Sequence, residues 1–315
     1  MHQLKLGVDD GYTMHFLPAS KPLRSTYCAL CGVDLRGRFH EDRYGGGNEQ
    51  RYRNVRPVDT KWLSDVRALR GWQPADRENW RVERSDVGSY DAIQYFGSDV
   101  IIIGPRVVPV NTTSTVPVHN ACSEILLAHT TEEDIGNVWQ SIQARRGLDR
   151  RRVNDCGLAT SRQGVWWEEI EGEEYMVTDP LKPLSFPIDL ASAPDNERLS
   201  THVVQESYDF FSRLPSELVF YILSFLIPYP STLLSLRHAA PRVFRASPWA
   251  GNHFWSQVTI AEMGGFLLEV REMLAKLDNL EEGSGFAIWR KLTEDRSVKN
   301  RRRIARLVIS AAAYK

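Results

Sequence analysis

The stretch Leu214–Leu226, LPSELVFYILSFL, predicts a helix that is apolar on nearly every face. Pro215 suits a first helical turn, where a missing amide hydrogen costs nothing, and Glu217 sits where the helix dipole favours an anion. From Leu218 to Leu226 only Ser224 interrupts the run, and at about 3.6 residues per turn the apolar side chains occupy the whole circumference. One face can enter the chain's own core. The rest needs another cover.

The signal around this stretch stays helical from Phe210 onward. The prolines of IPYPS end the first helix, STLLSLRHAA supplies Leu233, Leu234 and Leu236, Pro241 restarts the chain into PRVFRAS, and Phe254-Trp255 follows. These short helices carry more apolar surface than so small a bundle can bury. They describe either the ordinary core of a helical domain or a module that completes its core against a partner.

The pattern Leu214, Pro215, Glu217, Leu218, Ile222 and Leu226, then Leu233, Leu234 and Leu236, then Phe244, then Phe254 and Trp255 resembles an F-box, over roughly Phe211 to Ile260. That resemblance implies docking on a Skp-type adaptor, which tethers the protein to a cullin-RING ubiquitin ligase. It further implies adaptor contacts through Leu214, Pro215, Leu218, Ile222, Phe225 and Leu226, helped by Leu233, Leu236, Phe254 and Trp255. The adaptor would then cover the second apolar face. The wider chain is similar to a group of F-box proteins common in filamentous fungi, through Cys28 and Cys31, then Pro117, His119 and Cys122, then Trp289-Arg290 and KNRRRIAR.

The chain holds 4 cysteines and no secretory signal, which argues against a disulfide framework. CALCG places Cys28 and Cys31 at the spacing that grips one metal, with Gly32 permitting a tight turn, and HNAC offers His119 and Cys122 at a second matching spacing. Three cysteines and one histidine form a set common at closed structural zinc sites, where no position is left open for water. Inert buried thiols, or a redox pair, are the alternatives at this stage. The redox reading lacks the strand-then-helix context it normally has. Cys156 is spare, and His40 or His129 could replace a ligand.

Composition bounds the rest. The 315 residues, 42% hydrophobic, suffice for two domains, and 39 Lys plus Arg against 40 Asp plus Glu give a formal charge of −1. No global field therefore attracts nucleic acid or an anionic membrane. The N-terminus MHQLKLGVDDGY lacks a signal pattern, and VIIIGPRVVPV is broken by Gly104, Pro105 and Arg106, so cytoplasm or nucleus is expected. No Gly-x-Ser-x-Gly elbow, phosphate loop or His-Glu-x-x-His is present. The acids of WWEEIEGEEY read as a solvated edge rather than a catalytic pair, and KNRRRIARLVIS as the exposed face of an amphipathic helix with Ile304, Leu307 and Val308 inward, with a nuclear address or a phosphate-binding patch as the alternative.

The expected class is α+β. Residues 1–24 form a loose lead-in; 25–155 a mixed domain of short strands and helices with a zinc knuckle; 156–208 a proline-punctuated linker; 209–262 an all-α F-box bundle; and 263–315 C-terminal helices that begin a receptor region. Within the mixed domain, DTKWLSDVRALRG predicts a short helix from Trp62, Val66 and Leu69. YDAIQYFGSDVIIIGPRVVPV predicts short strands, VPVHNACSEILLAH a helix after Pro117, and TEEDIGNVWQSIQARRG a helix capped by Thr131. The functional expectation is a non-catalytic substrate receptor that recruits an unidentified target protein. The alternatives are a zinc-binding interaction protein outside the ubiquitin system, or an enzyme built on the N-terminal domain.

Overall fold

A computed structural model describes residues 28–33, 35, 57–72, 81–84, 87–89, 95–96, 100–103, 106–109, 115–148, 158–159, 172, 174–184, 213–240, 252–267, 269–275 and 284–313. Within them the class is α+β: small antiparallel sheets near the N-terminus and helices thereafter.

The main sheet is organised by β1 (Asp65–Trp72), entered from a 3-10 helix over Pro57–Ser64. Along one edge β1 pairs with β2 (Arg81–Arg84) through Leu69–Trp72 and with β3 (Gly88–Ser89) through Asp65–Val66. Along the other it pairs with β7 (Thr115–His119), Val66 opposite His119 and Arg70 opposite Thr115. The helix expected across Trp62, Val66 and Leu69 is therefore a 3-10 turn followed by a strand. The strand is buried on both faces, Val66 on one and Leu69 on the other, so no two-residue alternation shows, and pairing on both edges decides for a strand. A second sheet joins β4 (Tyr95–Phe96), β5 (Val100–Ile103) and β6 (Arg106–Pro109), where short strands were expected.

Residues directly opposite in an antiparallel pair share a face. One face of the β1–β7 ribbon thus carries Arg67, Leu69, Gly71, Val116 and Val118; the other carries Val66, Ala68, Pro117 and His119. On the first face Gly71 lies under the indole of Trp139, so closely that an added Cβ would sit 2.1 Å from a ring carbon. Strand β7 runs straight into α1 (Asn120–His129), so Pro117 is in the strand and the helix begins only after His119. The proline is tolerated because its carbonyl points away from β1, to the Ala29 amide at 2.9 Å. In an antiparallel strand the missing N–H points the same way, so no ladder bond is lost.

Helix α2 (Glu132–Leu148) starts at a reciprocal cap: the Asp134 amide donates to Thr131 Oγ1 at 3.3 Å and the Thr131 amide to Asp134 Oδ2 at 3.0 Å. Part of the expected linker is core. Met176 and Val177 in the 3-10 turn Glu174–Val177 are buried, and Trp62 Nε1 donates to the Val177 carbonyl at 2.8 Å.

The later helices are α3 (Ser216–Leu226), α4 (Pro230–Ala239), α5 (Asn252–Met263), α6 (Val270–Ala275), α7 (Ser284–Glu294) and α8 (Arg296–Ala312). IPYPS ends α3 as expected, Pro230 itself opens α4 at its first turn, and Asp295 caps α8 by accepting the Val298 amide at 3.0 Å. The expected third F-box helix with Phe244 lies outside the described residues. An aromatic stack holds α5 on α7: Trp255 lies 4.7 Å from Phe286 and 5.2 Å from Trp289, ring centre to ring centre.

Helix α8 does not stand apart from the N-terminal elements. It packs against α1, α2 and the Glu174–Val177 turn, where Asn300 Nδ2 donates to the carbonyls of Met176 at 3.0 Å and Thr178 at 2.8 Å. Ser141 Oγ donates to the Ala311 carbonyl at 3.2 Å. Ile304 and Val308 face inward as expected, but Asn300 and Arg301 are buried with them, so the basic run is not simply a solvated face.

Candidate functional site

The knuckle sequence folds as a tight turn. The Gly32 amide donates to the Cys28 carbonyl and the Cys28 amide to the Val33 carbonyl, both at 2.9 Å, and Gly32 has φ of 74°, a backbone region that side chains disfavour. Ala29 docks the turn on the edge of β7 away from β1 through Pro117, and two residues further along that edge the His119 amide donates to Cys28 Sγ at 3.4 Å. His119 ends the strand and Cys122 lies in the first turn of α1, so the β7–α1 junction delivers both to the sulfurs of the turn.

The result is a sealed cluster. Cys28, Cys31, His119 and Cys122 are all 0% exposed, and their ligand atoms lie within 4.8 Å of one another. Cys31 Sγ is 3.3 Å and Cys122 Sγ 3.9 Å from His119 Nδ1, so Nδ1 is the nitrogen that faces the sulfurs. A tetrahedral ion with metal–sulfur bonds of about 2.3 Å requires ligand atoms roughly 3.5–3.8 Å apart, close to this spacing. The group could hold a metal ion. Cys28, Cys31 and Cys122 are not joined in disulfides.

The electrostatics favour a cation among the sulfurs. Burial alone would raise the Cys31 thiol, but hydrogen bonds with Cys122 and Cys28 and the charge of His119 hold it well below the usual thiol range. Burial would lower His119, yet the charges of Cys31 and Cys28 push it up to about 10. Cys122 goes the other way, pushed well above an ordinary thiol by burial and by the neighbouring sulfurs.

Of the alternative ligands, His129 is the last residue of α1, roughly 10 Å along the helix from Cys122 at about 1.5 Å per residue. Its pKa is lowered by burial and by the nearby charge of Arg301. His40 and Cys156 lie outside the described residues. A residue not anticipated from sequence is Arg303, whose guanidinium donates to the Cys31 carbonyl at 2.8 Å.

The second feature is α3, the helix of LPSELVFYILSFL. On α3, Val219 and Leu223 are buried, while Leu218 is 49%, Tyr221 59% and Phe225 76% exposed. Leu218, Tyr221, Ile222 and Phe225 stand at three- and four-residue steps and form one stripe. Tyr229, just before α4, is exposed as well.

The residues expected to contact an adaptor divide. Pro215, Leu218 and Phe225 are exposed; Leu214, Ile222, Leu226 and Leu236 are half-buried. Leu233, Phe254 and Trp255 are buried inside the chain, Leu233 completely and Trp255 under the aromatic stack with α7. A partner at the surface could therefore reach the first seven but not these three.

Among the described residues no helix is long and apolar enough to cross a membrane. Comparison with models of known protein families, with curated proteins and with solved structures finds no match.

Proposed function

We propose that the chain is the substrate receptor of a Skp-cullin-F-box ubiquitin ligase, held on a Skp-type adaptor by the outer stripe of α3. The observation that carries this reading is the exposure of Leu218, Tyr221 and Phe225 on a helix whose opposite face, Val219 and Leu223, is already buried. Fully burying one such side chain is worth about 1.5–3 kcal/mol, so a chain that leaves a contiguous stripe of them in water retains a strong drive to associate. The F-box resemblance of LPSELVFYILSFL supplies the occupant: an adaptor with a complementary helical groove.

In this reading the protein performs no chemistry. It raises the effective concentration of a bound target near the ligase, in the cytoplasm or nucleus where adaptor and cullin reside. The four-residue cluster holds one zinc ion. Three sulfurs and one imidazole nitrogen suit zinc better than magnesium or calcium, which prefer oxygen, and a set of protein ligands alone makes the ion structural. Zinc would contribute folding energy to the turn and to the β7–α1 junction. Target recognition falls to the surface around this N-terminal unit or to the C-terminal helices.

The test is calorimetric titration of the full-length protein with a purified Skp-type adaptor, beside a Leu218→Asp variant. Measurable binding that the variant loses supports the receptor; an adaptor that binds both equally removes this helix from the interface, and no binding to either favours a metal-binding interaction protein outside the ubiquitin system.

A further inference from the structure

The Cys28–Val33 turn and α8 belong to opposite ends of the chain, yet Arg303 joins them through the Cys31 carbonyl. The guanidinium is aimed by its own helix: Nε and Nη2 donate to Asn300 Oδ1 at 3.3 and 3.1 Å. Asn300 is in turn fixed by its bonds to the Met176 and Thr178 carbonyls. One residue from Arg303, Arg302 pairs with Glu262 at 2.6 Å, and Glu262 accepts Trp289 Nε1 at 2.9 Å. Polar contacts thus join Cys31 to α8 through Arg303, and a separate set one residue away joins α8 to α5 and α7 through Arg302.

The Cys31 carbonyl is the weak point of this set. Its place depends on a short turn whose sulfurs are held together either by a shared ion or by their contacts with one another and with His119 Nδ1. We propose that metal occupancy of the cluster latches α8: the ion fixes the Cys31 carbonyl, Arg303 engages it, and α8 is held against the N-terminal unit. The latch rests on the metal reading of the cluster and is independent of the adaptor. Coupling of this kind is reciprocal, so the bond that lets the metal order α8 also lets α8 tighten the grip on the metal.

The experiment uses the full-length, zinc-loaded protein and an Arg303→Met variant, which keeps most of the apolar stem and removes the donors. Each is measured for zinc content, for zinc affinity by competition with a chromogenic chelator, and for amide hydrogen exchange over residues 296–312. The latch predicts about one zinc per chain in both and about tenfold weaker zinc retention in the variant, the effect of losing one charge-assisted hydrogen bond. It also predicts that stripping zinc from the wild type raises exchange across 296–312. Unchanged zinc affinity in the variant overturns the latch, as does stripping that loosens only Cys28–Val33. If zinc removal unfolds the whole chain, the affinity comparison on the folded, loaded proteins decides. A chain that takes up no zinc removes the metal reading and the latch together, whereas bound zinc indifferent to Arg303 removes the latch alone.

Discussion

Leu223 and Phe225 stand two positions apart on α3, one 1% and the other 76% exposed. The helix therefore has a finished side and an unfinished one, and substitutions on the two sides should separate stability from binding. Leu223→Ala should cost about 2–5 kcal/mol, because the cavity it leaves cannot fully collapse. Phe225→Asp should change stability by no more than about 0.5 kcal/mol, as an exposed position does. Denaturant midpoints of the two variants check this; a Phe225→Asp protein as unstable as Leu223→Ala would mean that the stripe is covered by the chain itself.

Gly71 and Trp139 make a second pair that admits no adjustment. Because a Cβ at Gly71 would lie 2.1 Å from the indole, Gly71→Ala must displace the ring or the strand. The expected penalty is about 1–3 kcal/mol of overpacking, read as a lowered thermal midpoint. An unchanged midpoint would show that α2 does not rest on β1 there.

Asn300 ties α8 to the Glu174–Val177 turn through two main-chain carbonyls. Asn300→Ala leaves those acceptors without the amide, at roughly 1–3 kcal/mol for each that remains buried. Limited proteolysis should then cut in the 174–184 segment of the variant and leave it intact in the wild type. Equal resistance in both proteins would argue that this segment is held by other contacts.

Zinc uptake should be pH-dependent, and the sign follows from the cluster. In the zinc-free protein His119, pushed up to about 10, carries a proton at neutral pH, and Cys122, raised well above an ordinary thiol, carries another. Coordination requires a neutral imidazole and a thiolate, so both protons leave when the ion enters. Affinity therefore rises with pH through the neutral range and falls on acidification. Calorimetry in buffers of different ionisation enthalpy measures the protons released; none released would contradict this picture of the cluster. Cys31→Ser should lower the zinc content, and a full complement in that variant would exclude Cys31 as a ligand.

How far these features could be read from sequence depended on the range of the interactions. The α3 helix was legible because its apolar run, Pro215 and the IPYPS break are local signals. The candidate ligand set was legible because each half, Cys28 with Cys31 and His119 with Cys122, carries its own spacing; the β7 edge that unites the halves was not. β1 was misread because Trp62, Val66 and Leu69 fall at helical steps, while the pairing that makes Asp65–Trp72 a strand comes from β2 and β7. The roles of Asn300, Arg301 and Arg303 were hidden for a related reason. A basic run on a helix looks like a wet face, and its acceptors, including the Pro180 and Cys31 carbonyls, lie more than 100 positions away, 121 and 272 respectively.

The most direct measurement of the central claim is co-elution of the full-length protein with a purified Skp-type adaptor on a sizing column, beside the Phe225→Asp variant. The account predicts one earlier peak containing both proteins for the wild type and two separate peaks for the variant. Two separate peaks for the wild type, from a chain that is folded and well behaved, would contradict it and leave the α3 stripe without its proposed partner.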